Sequence, residues 1–384
     1  MWYNTDMKNT RRTQVNIHRD AWVEVNLDSL AHNVQEFKNN IDKDTKLLGI
    51  VKADAYGHGC VMVAPTMLAS GVDMLGVASI DEGLDLRAEN IDCEVLVVGA
   101  VPVWSFDVAA KNNISISIFE EEHIDACYKV YERFGLKPKV HIKLDTGMNR
   151  IGLQPKKAIE FIKKVQQCDF IDLKGIFTHL ANAENAEKTK IQFERWNEVV
   201  TNVDTEGLLI HILNTAGTMI YDPKELHSNM VRIGISIYGL YPDLPENLRF
   251  YPKLKPVMEL KGRITNIHTM PKDDGVSYGH TFVAKKDTTV ATVPIGYADG
   301  VPRILSNKIY GKLNGQKIKQ IGNITMDQMM FDISGVYAKL GDIITLLDDD
   351  DKDLSLDNWA NIAGTINYEL PCRLKVRLPR VYTR

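Results

Sequence analysis

The chain has 384 residues, 44% apolar and 25% charged, the balance of a soluble globular protein with length for about two domains and a large buried core. Its 46 basic side chains against 50 acidic ones leave a formal charge of −4, which argues against nucleic acid or an anionic membrane surface as partner. Five scattered cysteines (Cys60, Cys93, Cys127, Cys168, Cys372) contain no C-x-x-C pair, so neither a disulfide framework nor a zinc site is indicated, and a reducing cytoplasm fits.

Residues 1–19 are polar, include Arg11, Arg12 and Arg19, and lack the apolar core of a signal peptide; they read as a loosely ordered extension. No apolar run elsewhere is long enough to span a membrane. From Ala21 to about Tyr241, short β-branched runs alternate with longer amphipathic stretches, the pattern of repeated βα units. A leading helix is expected over Asp28–Asn39. The strand candidates are Leu47–Val51, Met74–Ser79, Val95–Val98, Ile114–Ile118, Val140–Leu144, Ile171–Thr178, Leu208–Leu213 and Met230–Ile235. Helical periodicity marks Asp81–Glu89, Glu120–Phe134 and Pro155–Gln167 between them. Eight strands suggest a closed (β/α)8 barrel of the TIM type over residues 20–245, although open doubly wound sheets share the alternation. Pro242, Pro245, Pro252 and Pro256 then punctuate a linker. Beyond it, alternating runs such as Thr288–Pro294, Lys317–Ile321 and Ile343–Leu347 predict a mainly β C-terminal domain over residues 246–384. The acidic run Asp348–Asp351 lacks the spacing of a calcium loop and reads as a solvated turn.

A barrel keeps its chemistry at the carboxyl ends of its strands, and the conspicuous motifs fall there. Lys52 follows the first apolar run, where a partly desolvated amine can act as a nucleophile and form a Schiff base with an aldehyde. Tyr56 lies within one turn of it, and Gly57 and Gly59 allow close backbone approach before a helix begins. Barrel phosphate sites often use the loops after strands seven and eight, which here carry Asn214-Thr215-Ala216 and Ile233-Gly234-Ile235. Thr215 offers a hydroxyl, and the amides of Gly234 and Ile235 can point at a phosphate; taken alone, either segment is ordinary turn chemistry. Together with Lys52 they describe a phosphate-bearing aldehyde cofactor. Arg150 ends the block Lys143-Leu144-Asp145-Thr146-Gly147-Met148-Asn149-Arg150, and its planar fork suits a carboxylate such as an amino acid supplies.

The stretch Val51-Lys52-Ala53-Asp54-Ala55-Tyr56-Gly57-His58-Gly59 resembles the lysine motif of alanine racemases that use pyridoxal 5'-phosphate (PLP), and the resemblance extends over nearly the whole chain. It implies that Lys52 holds the cofactor and that Tyr56 and Tyr368, the latter in Asn367-Tyr368-Glu369-Leu370-Pro371, bind its phosphate. It places His179 beside the cofactor ring and Arg232, in Val231-Arg232-Ile233-Gly234, at the pyridine nitrogen. An arginine there can only donate, so it keeps that nitrogen unprotonated and the electron sink shallow. Arg150 would also reach the cofactor's phenolic oxygen, braced by a carbamylated lysine that Lys143 matches.

Three blocks in the second domain, Val276-Ser277-Tyr278-Gly279-His280-Thr281, Pro294-Ile295-Gly296-Tyr297-Ala298-Asp299-Gly300 and Ile321-Gly322-Asn323-Ile324-Thr325-Met326-Asp327-Gln328, resemble family signatures in chain order. They imply that Tyr278 is a second catalytic base opposite Lys52, that the Met326 amide binds the substrate carboxylate, and that Tyr297 lines the pocket. Two departures concern the entry corridor: Asn323 stands where many relatives have arginine, and Thr325 replaces a common cysteine. The resemblance thus implies a cytoplasmic two-base alanine racemase, a homodimer whose sites combine Lys52 of one chain with Tyr278 of the other. A serine or broad-specificity racemase would share the mechanism. A decarboxylase of basic amino acids would need an acid where Arg232 stands, and a non-catalytic PLP carrier would not need Tyr278 and Met326.

Overall fold

The computed structural model describes residues 18–348 and 350–384, so most of the expected N-terminal extension lies outside the described residues. The chain forms two compact units: Asn26–Val257, and a second made of the preceding strand together with Met258–Thr383.

In the first unit the eight expected strands form one parallel sheet: Lys46–Ile50, Met74–Val77, Val95–Val97, Ile114–Ile118, Lys139–Lys143, Asp172–Phe177, Leu209–His211 and Met230–Ile233. Neighbours in sequence are neighbours in the sheet, and strand eight returns to pair with strand one through Leu48↔Arg232. Strands seven and eight meet at a looser seam, carried by Asn229 N donating to Ile210 O and Arg232 N to Leu213 O, both at 3.0 Å. A nearly closed barrel results, and its strands are buried on both faces, which is why they read as continuous apolar runs. Helices begin where capping chemistry allows: Asn26 accepts from Ser29 N ahead of Leu27–Asn40, and Ser79 from Glu82 N ahead of Ile80–Ala88. The proline-rich stretch after Tyr241 is strapped to the first helix, where Asn33 donates to Lys255 O at 2.8 Å and accepts from Lys255 N at 2.7 Å.

The second unit is built on a nine-stranded sheet whose neighbours include Thr288–Val293, Gln316–Ile321 and Ile343–Asp348, matching the three runs expected there. One boundary differs from the sequence reading. Ala21–Asn26, read as the start of the barrel domain, is a strand of this sheet, antiparallel to Met258–Arg263 with Ala21 opposite Gly262. Its residues alternate buried Ala21, Val23 and Val25 with half-buried Trp22 and Glu24. That period of two belongs to an antiparallel sheet with unequal faces and not to a barrel strand. Among the described residues no helix is long and apolar enough to cross a membrane.

Candidate active site

Lys52 leaves the end of strand one in an uncommon conformation. Ala53, Asp54, Ala55 and Tyr56 all have φ between 53° and 55°, a left-handed turn without a glycine in it. L-residues resist that region by about 1–2 kcal/mol each, so the turn must be held by its surroundings. Glu82 holds its start: Oε1 accepts from Ala53 N at 2.8 Å while Oε2 accepts from Ala78 N at 2.7 Å. Asp54 Oδ1 accepts from Cys60 N at 2.8 Å, fixing the turn to the next helix. Buried His58 reaches Ala55 O and Tyr56 O from Nδ1, each at 3.0 Å, and stacks on Tyr238, whose hydroxyl donates to Ile50 O at 2.8 Å. Gly57 and Gly59 follow with φ of 79° and 90°, as expected of the motif's glycines.

The turn brings Tyr56 to the loops after strands seven and eight. Gly234 N donates to Thr215 Oγ1 at 3.0 Å, and a Cβ at position 234 would lie 2.7 Å from Tyr56 Oη. No side chain fits there, and the corner is ringed by two hydroxyls and a backbone amide. Asn214 shapes it by accepting from Gly217 N at 2.9 Å, while buried Ile235 opens the turn on the other side.

Arg232 is buried, and its two terminal nitrogens are committed. Nη1 donates to His211 Nδ1 (3.1 Å) and His211 O (3.0 Å); Nη2 donates to Thr178 O (2.7 Å), Ile212 O (3.1 Å) and His179 Nδ1 (3.2 Å). Nε makes no hydrogen bond among the described residues. Because arginine only donates, His211 must accept at Nδ1 and carry its proton on Nε2, which then donates to His141 Nδ1 at 3.1 Å. His141 in turn carries its proton on Nε2, which has no partner among the described residues. Two neutral imidazoles thus accept from the guanidinium, and a third, His141, backs His211. Burial pushes His141 down to about 3 and holds His179 and His211 well below the usual histidine range, with Arg232 adding to the effect on both. Burial also pushes Arg232 down to about 9.

Lys143 projects into the same mouth, its amine 4.6 Å from the centre of the Phe177 ring. Burial, then Arg232 and Arg150, push it down to about 7 against the opposing pull of Asp145. Lys52, Lys143, Arg150 and Arg232 all add to the depression of His179, so four basic side chains gather around that histidine. Asp145 is turned to its own loop, accepting from Gly147 N and Asn149 N. Such a mouth is built for an anion. A separate cavity of about 280 Å³ opens beside the loop, lined by Thr146, Asn149, Asn182, Lys188, Gln192 and Arg195, and holds none of the expected cofactor residues.

The structure therefore brings together Lys52, Tyr56, Lys143, Arg150, His179, Thr215, Arg232, Gly234 and Ile235. Glu82, His141 and His211 are additions that sequence reasoning missed. Ser79-Ile80-Asp81-Glu82 has capping-box spacing, but nothing local ties Glu82 to Ala53. His141 and His211 each interrupt an apolar barrel strand, and that interruption was the available signal.

The remaining expected residues belong to the β unit. There the three family-like blocks are stitched together: Asn323 Nδ2 donates to Tyr278 O at 2.7 Å, Ser277 Oγ to Asn323 O at 2.6 Å, and Tyr297 N and Ala298 N to Thr325 O and Met326 O at 3.0 Å. Tyr278, Met326 and Tyr297 are 76%, 53% and 40% exposed, so this edge presents them outward. Buried Asp299 anchors it, taking both terminal nitrogens of Arg19 and the Gly296 amide. Tyr368 stands half-buried ahead of the turn Glu369–Arg373.

A nearly closed parallel barrel with a lysine at the mouth, followed by a β unit with an outward tyrosine edge, defines a barrel-plus-β class of fold. Within that class, residues 25–242 match the family described as alanine racemase, N-terminal domain, and residues 257–382 match alanine racemase, C-terminal domain. An alanine racemase of Oceanobacillus iheyensis is 39% identical, covering 96% of this chain and 94% of its own, and one of Nostoc sp. is 40% identical over 94% and 95%. Among solved structures, an alanine racemase of Clostridium difficile 630 superposes with a TM-score of 0.88 at 36% identity, covering 95% and 96% of the two chains. A histidine racemase of Leuconostoc mesenteroides superposes at 0.87 with 27% identity, covering 96% and 99%. The chain belongs to the alanine racemase family, a family of isomerases.

Proposed function

We propose that the protein interconverts L-alanine and D-alanine with pyridoxal 5'-phosphate held on Lys52, and that it works in the cytoplasm as a homodimer. The observation that carries this reading is the corner ringed by the Tyr56 and Thr215 hydroxyls and the Gly234 amide, which no side chain at position 234 could share, at the end of the turn that begins at Lys52. Tyr56, Thr215 and the amides of Gly234 and Ile235 would hold the phosphate, with Tyr368 joining them. The Nε–H of Arg232, left over when Nη1 and Nη2 are spent, would donate to the ring nitrogen, and neutral His179 would lie against Arg232 at the ring's edge. Arg150, braced by a carbamate on Lys143, and the Met326 amide would take the substrate carboxylate. When bound, PLP supplies an electron sink that lowers the barrier to removing the Cα proton. Lys52 Nζ then moves that proton on one face and the partner's Tyr278 Oη on the other, so that return from the opposite side inverts the centre.

The test joins chemistry to mapping. Borohydride reduction of the purified protein followed by mass spectrometry should place a PLP adduct on Lys52, and a chiral assay over the common amino acids should show alanine as the preferred substrate. An adduct elsewhere, or none, refutes the cofactor assignment. A preference for serine, or for several amino acids alike, would move the protein to a broader racemase; a histidine racemase stands among its structural neighbours at 27% identity.

A further inference from the structure

We infer that Glu82 is a positioning residue for Lys52: its carboxylate bridges the amides of Ala53 and Ala78 and so holds the left-handed turn that presents the lysine at the barrel mouth. The inference rests on Lys52 being the cofactor lysine and goes beyond it to what keeps that lysine in place. A simpler role exists for Glu82, as an acid in the first turn of the helix Ile80–Ala88, whose N-cap Ser79 accepts from Glu82 N at 3.3 Å. A capping glutamate, however, turns back to its own N-cap amide. Here Oε2 takes Ala78 N, ahead of the cap, and Oε1 takes Ala53 N, twenty-nine residues earlier in the chain. The carboxylate clips together the loops leaving strands one and two, which are themselves paired through Ile50↔Gly76. The first amide of a turn has no partner inside that turn, and Ala53 N is the amide next to Lys52. Ala53, Asp54, Ala55 and Tyr56 each resist the left-handed region, so a turn made of them relaxes unless its first amide is pinned.

Three variants separate the two roles. Glu82→Gln keeps the shape but has one acceptor oxygen for two amides. Ala53→Gly removes an exposed methyl and makes the left-handed conformation easy without restoring the clamp. The third combines them. In the apo protein, Glu82→Gln should speed amide exchange over residues 53–59 by about tenfold or more while leaving the helix Glu121–Phe134 unchanged. In PLP titrations the apparent Kd should rise roughly ten- to a hundredfold, the scale of a lost charged hydrogen bond. Ala53→Gly alone should move Kd less than about twofold, and in the double variant it should recover most of the loss. Should Glu82→Gln not fold, Glu82→Asp, one methylene too short to span both amides, is read in the same way. A lowered melting temperature with unchanged exchange and Kd would make Glu82 a helix cap only and overturn the inference. A double variant as weak as Glu82→Gln would do the same, since Glu82 would then not act through the turn. If the wild-type chain takes no PLP on Lys52, the proposed function fails instead, and the exchange data alone decide the clamp.

Discussion

A lysine buried beside two guanidinium groups can escape their repulsion by losing its proton or by becoming an anion. Lys143, pushed down to about 7, is partly free amine at neutral pH, and a free amine adds carbon dioxide, forming an N–C bond and releasing a proton to leave a carbamate. We expect a carbamate carbon signal after exposure to ¹³C-bicarbonate, absent in Lys143→Ala; a wild-type spectrum without it counts against the brace on Arg150. That variant should also bind substrate more weakly and regain part of the loss with an added small carboxylate. In bicarbonate-free buffer the sign differs. The folded chain then binds fewer protons than the unfolded one between about 7 and the ordinary lysine value of 10.5, so Lys143 makes stability climb with pH across that window. Ala53 offers a second measurement at this scale. With φ of 53° and its methyl exposed, Ala53→Gly should raise stability by about 1 kcal/mol in urea unfolding, the reverse of the usual glycine effect in a helix.

Among the elements, strands five and seven carry an unusual load. His141 and His211 put two neutral imidazoles inside a barrel filled mostly by aliphatic side chains, and each exists to accept or pass on one hydrogen bond from Arg232. Both are bases with folded pKa values below their unfolded ones, so the unfolded chain binds the extra protons and stability falls as pH falls below about 6.5, for His141 down to about 3. Each can contribute up to about 1.4 kcal/mol per pH unit in that window. His141→Gln should therefore flatten the acid limb of the urea midpoint against pH, whatever it does at neutral pH; an unchanged limb would show that His141 does not stay neutral. These strands also mark what the sequence discloses. Continuous apolar runs such as Ile114–Ile118 announce themselves, and local motifs such as Lys52 to Gly59 keep their chemistry within one turn. The histidine chain joins residues seventy positions apart, and Glu82 reaches back to Ala53 across an entire βα unit, contacts set by barrel closure and not by any local pattern. Ala21–Asn26 was not among the strands expected, since its alternation spans only six residues and its partner lies beyond the barrel in sequence, so the barrel's bounds simply enclosed it.

At the scale of the whole molecule, the proposed dimer makes a demanding prediction. If each site joins Lys52 of one chain to Tyr278 of its partner, mixing inactive Lys52→Ala and Tyr278→Phe subunits under exchange gives dimers with one doubly damaged and one intact site, and up to about half the wild-type activity per mixed dimer returns. Tyr278→Phe alone should lose roughly 10²–10⁴ in rate, the usual scale for positioned acid–base catalysis. Mixtures with proven subunit exchange that stay inactive would refute the shared site. The strand Ala21–Asn26 has a different consequence. In its sheet it lies between Met258–Arg263 and Arg380–Thr383, so this strand is synthesised ahead of the whole barrel sequence and both of its neighbours only after it. Nascent chains arrested after the barrel has emerged should already yield a protease-resistant fragment of it, whereas the β unit should resist digestion only once Arg380–Thr383 has emerged, and then all at once.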